Sequence, residues 1–289
     1  MARRPAALLD WYAPRRRAFP WRRTRDPYRI LVSEVMLQQT QAARVARAFP
    51  AFLRRFPSLR ALARATRAEV VAAWDGLGYN RRALALAECA RAVARDHGGR
   101  LPRDVATLRT LPGVGPYTAA AVASIAFGEP VPALDVNVRR VVARWRLGAE
   151  PDAVDAVALE AAARRAIDRA DPGAWNQALM DVGREHCRPR PRCAGCPLAS
   201  GCRHRRAGAP RATTRRPTEP FEGSRRQVRG AVVRALREGG ASVGTLEART
   251  GFPAARLGEA IAGLVRDGLV TAGPAARAGA RGGRVRLRD

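Results

Sequence analysis

The chain has 289 residues, with 53 basic side chains against 25 acidic ones, a formal net charge of +28 and 47% hydrophobic residues. Every one of those 53 is arginine, so the absence of lysine excludes a lysine Schiff base and the lysine of a phosphate-binding P-loop. A charge of this size makes a polyanion the default partner, although a GC-rich genome would also raise the arginine and alanine content. The composition is that of a globular chain, long enough for one large domain or two smaller ones.

The longest apolar run, Ala119–Phe127, is too short to span a bilayer. The segment after Met1 lacks the apolar core of a signal peptide. A cytoplasmic protein with no membrane partner is therefore expected, and its five cysteines are not expected to form disulfides.

In chain order, Leu31, Val35, Ala42, Val45 and Phe49 recur at helical spacing and predict a helix over 31–49. Leu62, Val70, Val71 and Trp74 belong to further short helices, broken at Gly76-Leu77-Gly78. A helix over 81–96 stops at Gly98-Gly99. Helices over 119–127, 138–145 and 153–169 follow, and no strand alternation occurs before residue 240. After Cys202 an arginine-, proline- and threonine-rich stretch reads as a linker over 206–224. Beyond it, helices over 228–236, 245–249 and 253–267 precede two strands, 268–270 and 285–287. Three helices and a hairpin give a winged-helix-like pattern, with a generic small α/β appendage as the plainer alternative.

Cys187, Cys193, Cys196 and Cys202 are spaced C-x5-C-x2-C-x5-C. Clustered thiols suit a soft metal or an iron–sulfur cluster. One tight pair with a single cysteine on each side favours a [4Fe–4S] cluster over zinc, which more often takes two close pairs. Cys89, on the 81–96 helix, is most simply a small core residue.

Leu111-Pro-Gly-Val-Gly-Pro-Tyr-Thr118 joins two helical stretches. It reads either as a tight turn or as a helix–hairpin–helix, with Gly113, Val114 and Gly115 turning backbone amides toward a DNA phosphate. Glu34 falls at the edge of an apolar helical arc, with Gln38 and Gln41 beside it. Partial desolvation there would raise its pKa and let it hold a proton near neutrality, while the plainer reading is a polar residue at the core's edge. Asp135 precedes a helix and reads alone as an N-cap. Asn137, two residues on, could orient a carboxylate or support the helix start.

Together these pieces resemble the helix–hairpin–helix DNA glycosylase superfamily, and within it the MutY-type adenine DNA glycosylases. The matching stretches are Trp21-Arg22 with Asp26-Pro-Tyr28, Ser33–Gln41, Gly76-Leu-Gly-Tyr79, Leu111–Gly115, Leu134–Arg140 and the cysteine cluster. The resemblance covers residues 8–205. It implies an all-α, two-lobed catalytic domain over 1–205 with a [4Fe–4S] loop at 187–202, followed here by a winged-helix-like domain over 225–289. It further implies a monomer acting on double-stranded DNA, in association with the nucleoid, at a mispaired or damaged base.

By similarity, Glu34 would protonate a flipped adenine at N7 and Asp135 would stabilise or trap the cationic sugar before water completes hydrolysis. Tyr117 and Asn137 match positions that hydrogen-bond the reacting centre. Gln39, Leu77 and Tyr79 match residues that wedge into the gap and probe the opposite base, and Arg22, Gln38 and Thr40 complete the expected DNA- and substrate-binding set. Bifunctional relatives carry a catalytic lysine at the position of Tyr117, so a monofunctional hydrolase is implied. Thymine glycosylases of T:G mismatches also carry tyrosine there and remain an alternative, as does a non-catalytic iron–sulfur DNA-binding protein. The chain departs from the family at the first cysteine gap (x5 where x6 is usual) and at Asn80, where a second tyrosine is common. It also has no Nudix-like C-terminal domain, the part that checks for 8-oxoguanine.

Overall fold

The computed structural model describes residues 6–208 and 220–288; most of the expected linker lies outside the described residues. In chain order the helices are α1 (Ala6–Arg15), α2 (Pro27–Leu37), α3 (Ala42–Arg55), α4 (Leu59–Arg64), α5 (Arg67–Ala73), α6 (Arg81–Asp96), α7 (Val105–Thr110), α8 (Pro116–Phe127), α9 (Val136–Val142), α10 (Ala156–Ala166), α11 (Pro172–Glu185) and α12 (Arg203–Arg206). The C-terminal region adds α13 (Arg225–Ala235), β1 (Ala241–Ser242), α14 (Val243–Thr250), α15 (Ala254–Arg266), β2 (Val270–Ala272), α16 (Pro274–Arg277) and β3 (Arg284–Leu287). The chain forms two compact units, residues 1–34 with 101–215 and residues 35–100 with 216–289. The C-terminal region thus shares a unit with α3–α6.

The first unit is built on a core of Leu8, Val138, Val141, Leu159, Trp175 and Leu179, each under 2% exposed. Short polar caps set its helix starts: Asp104, Asp135, Asp155 and Asp171 each accept a hydrogen bond from an amide of the first turn. Asn176 on α11 is fully buried and supports the extended segment before Asp135. Its Oδ1 accepts from the Ala133 amide at 2.8 Å, and its Nδ2 donates to Ser124 Oγ and the Val131 and Pro172 carbonyls at 3.0 Å each.

In the second unit, Val71 of α5 and Leu84 of α6 share one core with Val228, Val232, Leu246, Ile261, Leu264 and Val270. The three short strands form an antiparallel sheet in the order β1-β3-β2, with Ala241 opposite Val285 and Thr271 opposite Arg286.

Four boundaries differ from the sequence reading. The single helix expected over 31–49 is two, α2 and α3, separated by Gln38–Gln41 with Gln39 at φ 54°. Val35 and Ala42 lie two helical turns apart, so the apolar period runs through the break and hides it. The 138–145 helix becomes a π-helical turn at Ala143–Leu147, ending at left-handed Gly148. The 153–169 helix is shortened to α10 by the Asp155 cap, and the first hairpin strand lies at 270–272 rather than 268–270. β1, two residues long, carries too little pattern to be read.

Replacing Asn176 by alanine removes the acceptor of the Ala133 amide and the two N–H donors shared among Ser124, Val131 and Pro172. The expected loss of unfolding free energy is about 2–4 kcal/mol in urea titration; a loss under about 0.5 kcal/mol would mean that water replaces the amide.

Candidate active site

Glu34 lies on α2, 5% exposed, where its Oε2 accepts a 2.7 Å hydrogen bond from the Tyr117 hydroxyl. Tyr117 is the second residue of α8, directly after the helix–hairpin–helix turn. Burial lifts the Glu34 pKa to about 7; the Tyr117 hydrogen bond opposes this, the charge of Asp135 adds to it, and Arg22 opposes it. Burial also pushes Tyr117 well above its ordinary value, so the phenol stays a donor.

Asp135 caps α9. One carboxylate oxygen accepts from the Val138 amide at 2.7 Å and the other from Asn137 Nδ2 at 2.9 Å. Burial raises its pKa, while those hydrogen bonds and Arg140 pull the other way. Asp135 is therefore an N-cap and, in the same position, a half-buried carboxyl whose charge acts on Glu34. Among the described residues neither carboxyl forms an ion pair. Arg22, 7% exposed, closes its fork on Asp181 at 2.6 and 3.0 Å, and so acts inside the fold rather than as an exposed phosphate contact.

Behind Asp135 the hydrogen bonds continue. Arg140 Nη2 donates to Asn137 Oδ1 at 2.8 Å and to the Gly183 carbonyl at 2.9 Å, while Arg140 Nε donates to the Cys187 carbonyl at 2.5 Å. On the π turn, Arg144 is 1% exposed and pairs with Glu150 at 2.9 Å. Its guanidinium donates to the Arg188 and Pro189 carbonyls at 2.6 and 3.2 Å. Both arginines thus hold the Cys187–Cys193 loop. Cys187, Cys193, Cys196 and Cys202 line a cavity of about 290 Å³ with Arg144, His186, Arg192 and Arg205. Among the described residues, no three metal-ligating side chains converge on one ion position.

The remaining candidates fall in two places. Gly113, Val114 and Gly115 form the turn between α7 and α8, with Gly113 at φ 73°, both glycines exposed and Val114 buried. Gln38, Gln39, Thr40, Leu77 and Tyr79 lie on two loops of the second unit. Gln39 (φ 54°) and Tyr79 (φ 49°) are the two non-glycine residues with left-handed backbone among those described. Such strain concentrates at functional sites. Gln39 is exposed and Tyr79 46% exposed, whereas Leu77 is 2% exposed.

Arg82 joins these two loops. It donates to the carbonyls of Val35, Met36 and Gln38, which α2 leaves unpaired at its end, and to Thr40 Oγ1, Leu77 O and Gly78 O. Nothing in the sequence singles out Arg82 among 53 arginines. Gly183 is likewise silent in the sequence: a Cβ there would lie 2.6 Å from the Asn137 Cβ.

Residues 32–164 match the HhH-GPD superfamily of base excision DNA repair proteins. An adenine DNA glycosylase of Mycolicibacterium smegmatis is 45% identical over 236 residues, covering 81% of this chain and 80% of that one. An adenine DNA glycosylase of Mycobacterium tuberculosis is 42% identical over 271 residues, covering 91% and 89%. The first share exceeds what residues 1–205 alone can supply, as does the second, so both likenesses reach beyond residue 205. The structure of a thermostable thymine-DNA glycosylase superposes with a TM-score of 0.66 at 33% identity, covering 71% of this chain and 95% of that one. The chain is a base excision DNA repair protein of the HhH-GPD superfamily and belongs, more narrowly, to the adenine DNA glycosylases. Among the described residues no helix is long and apolar enough to cross a membrane.

Gly183→Ala tests the close approach of α11 to α9. The methyl must displace Asn137 and with it the Asp135 hydrogen bond. Catalytic turnover is expected to fall by about tenfold or more, with a smaller loss of stability. Wild-type turnover would show that α9 can shift without disturbing Asp135.

Proposed function

We propose that the protein hydrolyses the N-glycosidic bond of adenine mispaired with 8-oxoguanine or guanine in double-stranded DNA, acting as a monomer in the cytoplasm on nucleoid DNA. The observation that carries the reading is the buried Glu34 carboxyl, with a pKa lifted to about 7 by burial and by the charge of a half-buried carboxyl, Asp135. A general acid works best with a pKa near the working pH. Adenine must leave the stack to meet it. In this reading Glu34 donates its proton to N7 of the flipped base, and Tyr117 fixes the carboxyl that carries it. The bond then breaks toward a neutral leaving group, and the sugar becomes cationic. Asp135, ionised and held by Asn137 and the Val138 amide, stabilises that cation or bonds to it until water attacks. Arg22 tunes Glu34 through its charge. Gly113, Val114 and Gly115 grip a phosphate, and Gln38, Gln39, Thr40, Leu77 and Tyr79 address the base pair.

The four cysteines hold a [4Fe–4S] cluster in this reading. A cavity of about 290 Å³ ringed by thiols and cationic side chains suits an anionic multi-iron group better than one ion. When bound, the cluster supplies a rigid anchor for the 187–202 loop rather than a reacting group. Arg140 and Arg144 fasten that loop to the helix carrying Asp135.

The test uses duplexes with adenine opposite 8-oxoguanine, adenine opposite guanine and thymine opposite guanine, followed by alkaline cleavage of abasic sites. Adenine release is expected. Product from the thymine duplex alone would transfer the assignment to thymine excision. Glu34→Gln and Asp135→Asn are each expected to lower single-turnover excision by about a thousandfold or more while duplex affinity stays within about threefold.

The pH dependence has a definite sign. Glu34 must be protonated, so excision should fall about tenfold per pH unit above about 7. Asp135 must be ionised, and its pKa is raised, so a second fall is expected on the acid side. A rate rising above pH 8 would remove Glu34 as the acid. Protein purified without oxygen should be yellow-brown, with iron and sulfide in equal amounts. A colourless protein containing zinc would overturn the cluster.

A further inference from the structure

The C-terminal region is fastened to the loop that carries Leu77 and Tyr79, two of the residues proposed to address the base pair. The loop at residues 74–80 connects α5 to α6 and holds three left-handed residues, Gly76 (φ 72°), Gly78 (φ 69°) and Tyr79 (φ 49°). Each flanking helix sends an apolar side chain into the C-terminal core. Val71 of α5 is 3% exposed and Leu84 of α6 is 6% exposed, in one cluster with Val228, Val232, Leu264 and Leu269.

Polar contacts follow the same pattern at both ends of the loop. Asp75, the residue before Gly76, pairs with Arg237 at 2.9 Å, and the same oxygen accepts the Gly76 amide at 2.7 Å. At the other end Arg81 lies 3.6 Å from Asp267, whose second oxygen takes Arg229. Arg67, at the start of α5, donates to the Gly268 carbonyl at 3.0 Å. Exposed ion pairs are individually weak. Here they sit on an apolar seat already formed, so little further ordering is needed to make them, and they flank a loop that holds Tyr79 in the left-handed region disfavoured for a non-glycine residue.

We infer that the C-terminal region positions the 74–80 loop, with Arg237 as the positioning residue that clamps Asp75 and Gly76, and that it thereby sets discrimination of the base opposite adenine. The inference rests on the adenine-glycosylase reading for its second half only. Holding the loop is a property of the free protein. Discrimination follows because Tyr79, the exposed aromatic of the loop, meets DNA from whatever position the clamp allows.

The test uses the full chain with Arg237→Glu and Arg237→Lys. Amide hydrogen exchange of the DNA-free protein is read at residues 76–80 and, as a control, within α13. Single-turnover excision is compared for adenine opposite 8-oxoguanine and opposite guanine. Arg237→Glu is expected to raise exchange at 76–80 by about three- to fivefold and to lower the ratio of the two excision rates by a similar factor. Exchange in α13 and the thermal midpoint should hold. Arg237→Lys, which keeps the charge, should recover most of both effects. Unchanged exchange at 76–80 would overturn the clamp. Raised exchange with an unchanged ratio would overturn its part in discrimination. A wild-type protein that releases no adenine would sink the glycosylase reading, while the exchange measurement would still decide the clamp.

Discussion

Keeping one carboxyl protonated in a chain of net charge +28 is the constraint on which the site depends. Glu34 keeps its raised pKa only if no cation approaches it unbalanced. Arg22, whose charge pulls the Glu34 pKa down, is itself buried and spends its fork on Asp181, and burial of Glu34 outweighs it. Tyr117 contributes a neutral donor where a charged one would force ionisation. The pair Arg22–Asp181 is expensive to bury and would be a poor way to gain stability alone. Its place beside the acid gives it a second use, since it orders this part of the fold without imposing net positive charge.

Asp135 has the opposite requirement in the proposed reaction, and its surroundings suit it. Two hydrogen bonds, from the Val138 amide and Asn137, and the charge of Arg140 favour its ionised form against the burial that raises its pKa. The two carboxyls are thus separated in character by what donates to them: one neutral phenol for Glu34, a helix N-terminus and a side-chain amide for Asp135. Arg140 extends this support to the cysteine loop, so the position of Asp135 and the shape of that loop are parts of one hydrogen-bonded framework. The close contact of Gly183 with Asn137 closes the framework from the side of α11.

The candidate catalytic residues are legible because the proposed chemistry demands particular side chains at particular spacings. Glu34, Tyr117, Asp135 and Asn137 converge in one compact unit, as the motif order implied, and the four cysteines surround one cavity. What escaped was support. The break at Gln38–Gln41 contains neither glycine nor proline, and its apolar spacing fits a continuous helix; the break is held by Arg82 from a distant helix, which periodicity cannot report. Asn176 and Gly183 looked like ordinary helix positions, because their roles depend on partners over 40 residues away in the chain. Similarly, the C-terminal region read as a separate appendage beyond a linker, while its core includes Val71 and Leu84.

The arginine count itself acquires a different meaning from these contacts. Arg82 reaches carbonyls and a hydroxyl on two loops, Arg140 bridges a side chain and two carbonyls, and Arg144 grips two carbonyls and Glu150. Each uses the planar, multi-donor fork that a lysine ammonium lacks. Arg22 and Arg237 are likewise committed to carboxylates within the chain. Arg22, Arg144 and Arg237 are balanced by their carboxylates and add nothing to the net +28, whereas Arg82 and Arg140 keep their charge and turn it toward oxygens within the fold. Net charge alone consequently does not say where on the molecule the surplus lies. In the proposed reading the phosphate contacts come from the exposed glycines of the turn, Gly113 and Gly115, and from arginines that no carboxylate or carbonyl in the fold engages.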